Sequence, residues 1–161
     1  MSARASSTLT DLSRDECLRL LSASTVGRVV VIRPAIETPV IRPVNYVFDE
    51  ASQSVVFRCI PGTKFATLMR ASRAWFEVDD IDAERRTGWS VIIAGVTEVV
   101  TQPGEVRRLQ SIGVDSWIAG ENAEWVTIGA RVVSGRRVRA IVGITEREVV
   151  AMPDGARPRR A

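Results

Sequence analysis

One short segment in the middle of the chain has the residue types that bind phosphate groups: Arg58-Cys59-Ile60-Pro61-Gly62-Thr63-Lys64. The glycine permits a tight turn, and a helix that begins near Thr63 offers free backbone N–H groups with a partial positive charge. Thr63 adds a hydroxyl, Lys64 a point charge, and Arg58 a planar guanidinium suited to bidentate contact. The segment predicts a phosphate cradle. The alternative is a capped helix with two solvated cations, because a Walker loop needs a longer glycine-rich run.

A second candidate segment has a proline inside a strand: Arg42-Pro43-Val44-Asn45-Tyr46. A proline at such a position indicates a sheet edge or a bulge, where backbone N–H and C=O groups are open to a ligand. The Asn45 amide both donates and accepts hydrogen bonds, so it suits the edge of a heterocycle. The alternative is a plain sheet edge, with Asn45 and Tyr46 facing water.

The third candidate segment opens a long strand and contains a glycine next to a tryptophan: Thr87-Gly88-Trp89-Ser90-Val91. Gly88 lets a ring or another backbone approach closely. Trp89 either stacks on a planar ligand or packs in a core or an interface. Both interpretations of Trp89 are compatible with its neighbours in the sequence.

Missing residue types exclude several kinds of site. The 161 residues contain no histidine, which excludes a Ser-His-Asp triad and a histidine-ligated zinc or haem. Only two cysteines occur, Cys17 and Cys59, so neither a disulfide framework nor a metal site is predicted. The net charge of +3 and nine aromatic residues do not give the basic, aromatic-rich surface of a nucleic-acid-binding protein.

The hydrophobic pattern also bears on location. No apolar run approaches the roughly 20 residues of a membrane helix. The N-terminus, MSARASSTLTDLSRDE, lacks the apolar region of a secretory signal. We therefore expect a cytoplasmic protein with no membrane partner.

Around the candidate segments, the residue patterns predict a single mainly-β domain. Strands are predicted at residues 28–33, 40–48, 54–60, 74–80, 88–100, 125–128 and 132–140, and helices at residues 14–22, 63–71 and 103–111. Ser13 and Glu16 fit a capping box at the start of the first helix. The first three strands have connections short enough for an antiparallel meander, and Gly95 indicates a bend at the corner of a barrel. Residues 1–11 are expected to be flexible, residues 12–152 to form the domain, and residues 153–161 to be a flexible basic tail.

Taken in order, the three segments resemble a known family. The sequence reads P-V-N-Y, then R-x-x-x-G-T-K at the start of a helix, then F-E-V-D-D-I-D, then R-T-G-W-S-V-x-x-x-G. This order resembles the pyridoxamine 5′-phosphate oxidase-like family of flavin-binding split barrels, in particular its small actinobacterial-type branch. The resemblance covers about Leu12 to Val138. It implies an antiparallel Greek-key split β-barrel with a few short flanking helices.

The resemblance also implies a cofactor and residues that bind it. Members are usually homodimers with flavin mononucleotide (FMN) at the dimer interface. By similarity, the isoalloxazine would be bordered by Val44, Asn45 and Tyr46, its ring–ribityl side by Arg58 and Cys59, and its phosphate by Thr63 and Lys64. The next long strand would bring Trp89, Ser90 and Val91 beside the flavin. The partner subunit would contribute Trp125 and Arg136.

For activity, the resemblance implies a flavin-dependent oxidoreductase that acts on an unidentified small molecule. The sequence lacks the histidine-bearing substrate motifs of a true pyridoxamine phosphate oxidase, so vitamin B6 oxidation is not expected, and no catalytic residue is assigned. Two alternatives stay open. One is a non-enzymatic flavin-binding or flavin-buffering module, because no obvious proton donor is present. The other is a deazaflavin-dependent reductase, because the same fold serves both cofactors.

Overall fold

The computed structural model describes residues 6–33, 37–70, 73–114, 117 and 122–141. In chain order its elements are β1 (Ser6–Asp11), α1 (Arg14–Ala23), β2 (Val26–Arg33), β3 (Thr38–Asp49), β4 (Ser54–Cys59), α2 (Lys64–Leu68), β5 (Arg73–Asp82), β6 (Thr87–Val100), α3 (Pro103–Ile112), β7 (Glu124–Gly129) and β8 (Val132–Ile141). The predicted mainly-β class is confirmed. The predicted basic tail lies outside the described residues.

Six of the strands close into an antiparallel barrel. Around the barrel the order is β2–β3–β4–β7–β6–β5, and β5 pairs back with β2. The other two strands extend the sheet from β6, since β8 pairs with β6 and β1 pairs with β8. The predicted split barrel is therefore confirmed, and so is the meander of β2, β3 and β4.

Strand β6 changes its pairing partner in the middle, at a corner of the barrel. Up to Val96 it pairs with β5, and from Thr97 it pairs with β7. Gly95 lies at this change of partner, where a Cβ atom would be 2.1 Å from the carbonyl oxygen of Gly129. The bend predicted at Gly95 is confirmed, and the close approach of the two backbones explains why a glycine is needed.

The N-terminus differs from the sequence-based expectation. Residues 1–11 were expected to be flexible, but Ser6–Asp11 form β1 and pair with Arg136–Ile141 of β8. The described side chains of this strand are exposed, with Leu9 at 60%. An edge strand held by its backbone hydrogen bonds needs no alternation of apolar and polar residues, so the pattern that identifies half-buried strands is missing here.

Helix α1 begins at a defined cap, and α3 is joined to the barrel by an ion pair. The predicted capping box of α1 is confirmed: Ser13 Oγ accepts from the Glu16 backbone N–H at 3.3 Å, and Glu16 Oε2 accepts from the Ser13 N–H at 3.1 Å. On α3, Arg108 donates to both carboxylate oxygens of buried Asp49, at 3.2 and 2.6 Å. This pairing holds the pKa of Asp49 below its ordinary value.

None of the helices in the described residues has the length and apolar character needed to cross a bilayer.

The outward face of the sheet carries a row of apolar side chains across five strands. Cross-strand pairing aligns Ile41, Val30, Trp75, Ala94 and Val132, on β3, β2, β5, β6 and β8. Three members of this apolar row are clearly accessible: Ile41 at 51%, Trp75 at 38% and Val132 at 64%. A continuous exposed apolar strip of this kind is typical of a surface that another molecule covers.

Candidate functional site

The first two candidate segments meet at one end of the β3–β4 pair. Tyr46 pairs with Phe57, which places Asn45 and Arg58 one residue further along their neighbouring strands. Pro43 lies in the part of β3 that pairs with β2 alone among the described strands. The predicted edge position of this proline is therefore confirmed, because no described strand pairs with the other side of β3 there and an edge tolerates a proline.

The turn after β4 is open to solvent. Pro61, Gly62 and Thr63 are all exposed. Gly62 has φ of +76°, and no atom lies within 4 Å of the position that a Cβ would take there. A glycine is favoured by this left-handed conformation, and the empty space beside it gives a ligand access to the backbone of the turn.

Thr63 is the N-cap of α2. Its Oγ1 accepts from the Ala66 N–H at 3.0 Å and donates to the Ile60 carbonyl at 3.0 Å. The hydroxyl is thus already engaged in the capped-helix arrangement that the sequence left as an alternative. Helix α2 is shorter than the predicted span of residues 63–71, because it ends at Leu68 with Met69 as its C-cap. Lys64 is its first residue and the only lysine in the sequence.

Arg58 is held against β7 of its own chain. Its guanidinium carbon is 5.3 Å from the ring centroid of Trp125, and its Nη2 donates to the Ala123 carbonyl at 3.2 Å. Trp125 is only 7% exposed and pairs directly with Arg58 across the strands. Within its own chain Trp125 is thus buried beneath Arg58, and its approach from a partner subunit stays a prediction.

An acidic residue that sequence reasoning did not single out lies next to Cys59. Glu124 pairs with Cys59 across β4 and β7, and its Oε1 accepts from Arg70 Nη2 at 2.7 Å. Burial raises the pKa of the Cys59 thiol, and the Glu124 carboxylate raises it further. A thiol in this environment stays protonated at neutral pH and is a poor nucleophile. The β4–β7 register places Glu124 here, and no local sequence signal encodes that register.

Val44 and Asn45 of β3 are half-buried. Their backbones pair with Gly27 and Val26 of β2. The Asn45 Oδ1 accepts from the backbone N–H of Trp117 at 3.3 Å. The backbone of Trp117 therefore lies beside Asn45 of β3.

The side chain of Tyr46 lies in the core rather than in the site. It is 2% exposed, its ring meets Phe76 edge-on at 4.6 Å, and its hydroxyl donates to the Leu21 carbonyl at 2.8 Å. Burial raises the pKa of this phenol well above its ordinary value. Any contact of Tyr46 with a ligand would have to be made by its backbone.

We expect Tyr46→Phe to lower the free energy of unfolding by about 1–2 kcal/mol, because the Leu21 carbonyl loses a buried hydrogen-bond donor. The ring contact with Phe76 is retained in this variant. Urea denaturation measures the loss. A free energy of unfolding equal to that of the wild type would mean that the hydroxyl–carbonyl hydrogen bond does not stabilise the core.

The third segment contributes to a pocket on the outward face of the sheet. Trp89 and Ser90 are half-buried, whereas Val91 is fully buried and points into the core. The pocket has a volume of about 470 Å³, and its lining includes Leu9, Ile81, Arg86, Trp89, Arg136 and Val138. Arg136 is exposed and forms a 3.4 Å ion pair with Asp11.

Within one chain the third segment does not join the first two. Val44 pairs with Gly27 of β2, and Val91 pairs with Val78 of β5. Strands β2 and β5 thus lie between β3 and β6 along the barrel wall. The third segment is therefore not on a strand that neighbours β3 or β4.

The chain is similar to several known proteins. The sequence model of the pyridoxamine 5′-phosphate oxidase family matches residues 13–148. An uncharacterised protein of Mycobacterium tuberculosis, Rv0080, is 36% identical over 135 residues, which are 81% of this chain and 86% of the relative. The FAD-binding protein of Mycobacterium smegmatis has 34% identity and a TM-score of 0.72, over 81% of this chain and 98% of that one. An FAD-binding protein of Mesorhizobium loti has 26% identity and a TM-score of 0.65, over 80% and 97%.

Proposed function

Because the chain belongs to the pyridoxamine 5′-phosphate oxidase family, we propose that it binds a flavin nucleotide and uses it as an oxidoreductase of a small molecule. The observation that carries this proposal is the meeting of Asn45 and Arg58 beside the open turn at Gly62. Amide, guanidinium and free backbone groups are the donors that a heterocycle edge and a phosphate require. The 34% identity with a protein described as FAD-binding supports the same conclusion.

The residues of the first two segments would bind and orient the cofactor. Val44 and Asn45 would border the isoalloxazine with the backbone of Tyr46, and Arg58 and Cys59 would line its ribityl side. Thr63 and Lys64 would hold the phosphate. A bound flavin supplies the electron-transfer chemistry, while the protein sets its position and surroundings. Because the Cys59 thiol has a raised pKa, it contributes packing rather than a thiolate to this site.

We propose FMN as the cofactor. FAD is the first alternative, because two of the similar proteins are described as FAD-binding. Both contain the isoalloxazine, the ribityl chain and the first phosphate, so the residues above suit either. FAD needs additional room beyond the phosphate, and the exposed turn at Gly62 leaves that side open. A deazaflavin, which shares the ring shape, is a further alternative.

We also propose that a second copy of the chain covers the outward face and completes the site. The apolar row described above is the surface that would be buried. In such a dimer Trp89, Ser90 and Arg136 of one copy would approach the flavin held by the other copy. The separation of β3 from β6 by two other strands supports a site that is shared between two chains.

One observation favours a second candidate function, a flavin-binding module without catalysis. Tyr46 is the only phenol in the sequence, and its hydroxyl is buried and bonded to the Leu21 carbonyl. It is therefore not available to donate a proton to a substrate. Bleaching of bound flavin by a reduced nicotinamide and its recovery with an acceptor would favour the enzyme. The absence of turnover with a tightly bound flavin would favour the module.

The absorption spectrum of the purified protein, followed by titration of apoprotein with FMN and FAD, tests flavin binding. We expect flavin absorption bands and saturable binding of at least one of the two nucleotides. Mass spectrometry of the released cofactor distinguishes FMN, FAD and a deazaflavin. An apoprotein that binds none of the three would contradict the proposal.

Lys64→Ala should weaken FMN binding by about 1–3 kcal/mol, the scale of a hydrogen bond to a charged group. Lys64→Arg, which retains the charge, should lose less. Arg107→Ala, which removes an exposed cation of α3, should leave the dissociation constant unchanged. Riboflavin, which lacks the phosphate, should bind the wild type and Lys64→Ala equally. Equal FMN affinity in Lys64→Ala and the wild type would exclude Lys64 as a phosphate ligand.

A further inference from the structure

Trp117 has the most exposed large apolar side chain in the described part of the structure, with 73% of its surface accessible. A tryptophan normally buries roughly 150–250 Å² of surface. The other three tryptophans have packing partners or a place in a larger surface: Trp125 lies beneath Arg58, Trp89 packs against the core, and Trp75 belongs to the apolar row. The exposure of Trp117 therefore sets it apart from the others.

The backbone of Trp117 is tied to a residue of the proposed flavin site. Its N–H donates to the Asn45 Oδ1 at 3.3 Å, although 72 positions separate the two residues in sequence. Asn45 is half-buried in β3, where the pairing of β3 with β4 ends, and Arg58 lies next to it on β4. The hydrogen bond thus brings an exposed indole to the edge of the surface where the flavin ring would lie.

We propose that Trp117 is a cofactor-binding residue whose indole stacks on the isoalloxazine of the bound flavin. This inference rests on the proposed function. An indole is electron-rich and an isoalloxazine is electron-poor, so their faces attract each other in an offset stack. The same contact would remove water from the indole, which the described part of the chain leaves exposed.

The proposal is tested with Trp117→Ala and Trp117→Phe in the full chain. A stacked indole quenches flavin emission by electron transfer, so FMN bound to the wild type should be weakly fluorescent. FMN bound to either variant should be several times brighter. Trp117→Ala should bind FMN about 5- to 150-fold more weakly, the range of one aromatic stacking contact, and Trp117→Phe should regain most of that affinity. Arg107→Ala, which changes an exposed residue of α3, should leave the emission of bound FMN unchanged.

Three flavin-binding outcomes and one sedimentation outcome would overturn the proposal. If the wild type binds no flavin, the proposed function fails and this inference fails with it. If the wild type binds FMN, but Trp117→Ala binds it with the same affinity and the same quenched emission, only the inference fails. If the variant changes the binding of FAD and leaves that of FMN unaltered, Trp117 stacks on adenine rather than on isoalloxazine. Sedimentation of Trp117→Ala measures its self-association. Weaker self-association with unchanged flavin affinity would mean that Trp117 contacts a second chain and does not stack on the flavin.

Discussion

Replacing Gly95 with alanine should lower the free energy of unfolding by about 3 kcal/mol or more, at the upper end of the cost of overpacking. The new methyl group would lie 2.1 Å from the carbonyl oxygen of Gly129 and 3.3 Å from Cγ2 of Ile128. That carbonyl accepts a hydrogen bond from the Arg131 N–H at 2.9 Å, which fixes it further. Relieving the clash requires β6 to move away from β7. This movement would break the β6–β7 pairing that closes the barrel. Urea denaturation measures the effect.

Gly104→Ala is the matched control for Gly95→Ala. Gly104 is exposed in the first turn of α3, and the nearest atom to its added Cβ is Arg107 Nη2 at 4.0 Å. Alanine is the better helix former by up to about 1 kcal/mol, so this variant should be as stable as the wild type or slightly more stable. If Gly95→Ala unfolds at the same urea concentration as Gly104→Ala, the close approach of β6 and β7 at this corner is incorrect.

The bend at Gly95 shows which parts of this fold local sequence can predict. A glycine inside a run of β-branched residues indicates a bend because few other reasons place it there. The capping box of α1 and the edge position of Pro43 are encoded in the same local way. The closure of the barrel is not encoded locally, because it depends on cross-strand pairs such as Val56 with Thr127. The residues of such pairs lie far apart in sequence. Strand β1 was missed because its exposed side chains give no alternating pattern.

The candidate site shows a similar limit. Residue types identified the segments, but the direction of each side chain depends on the register of its strand, and a shift of one residue reverses it. Tyr46 and Val91 therefore point into the core, although their neighbours Asn45 and Ser90 do not. Thr63 is engaged as a helix cap, an alternative that the sequence had left open. Glu124 has no motif of its own and is placed beside Cys59 by pairing alone.

Replacing Trp75 with glutamate should weaken self-association of the chain by about 30- to 1,000-fold, which corresponds to about 2–4 kcal/mol, the range of a strong interface residue. Trp75 lies at the centre of the apolar row, between Val30 on β2 and Ala94 on β6. A glutamate there would bring a carboxylate into the proposed apolar contact, where burial of an unpaired charge is costly. Because Trp75 is on the outward face and 38% exposed, the barrel itself should tolerate the change. Sedimentation equilibrium over a range of concentrations measures the dissociation constant.

Gln110→Glu is the control for Trp75→Glu, because it adds the same charge at an exposed position of α3 and should leave association unchanged. Flavin affinity measured on the same samples tests whether the site is shared. If two chains complete each site, the loss of association in Trp75→Glu should weaken FMN binding in parallel, and raising the protein concentration should restore both. A Trp75→Glu monomer that binds FMN as tightly as the wild type would show that one chain is sufficient for binding. Wild-type association in Trp75→Glu would mean that the apolar row is not the surface by which two chains meet.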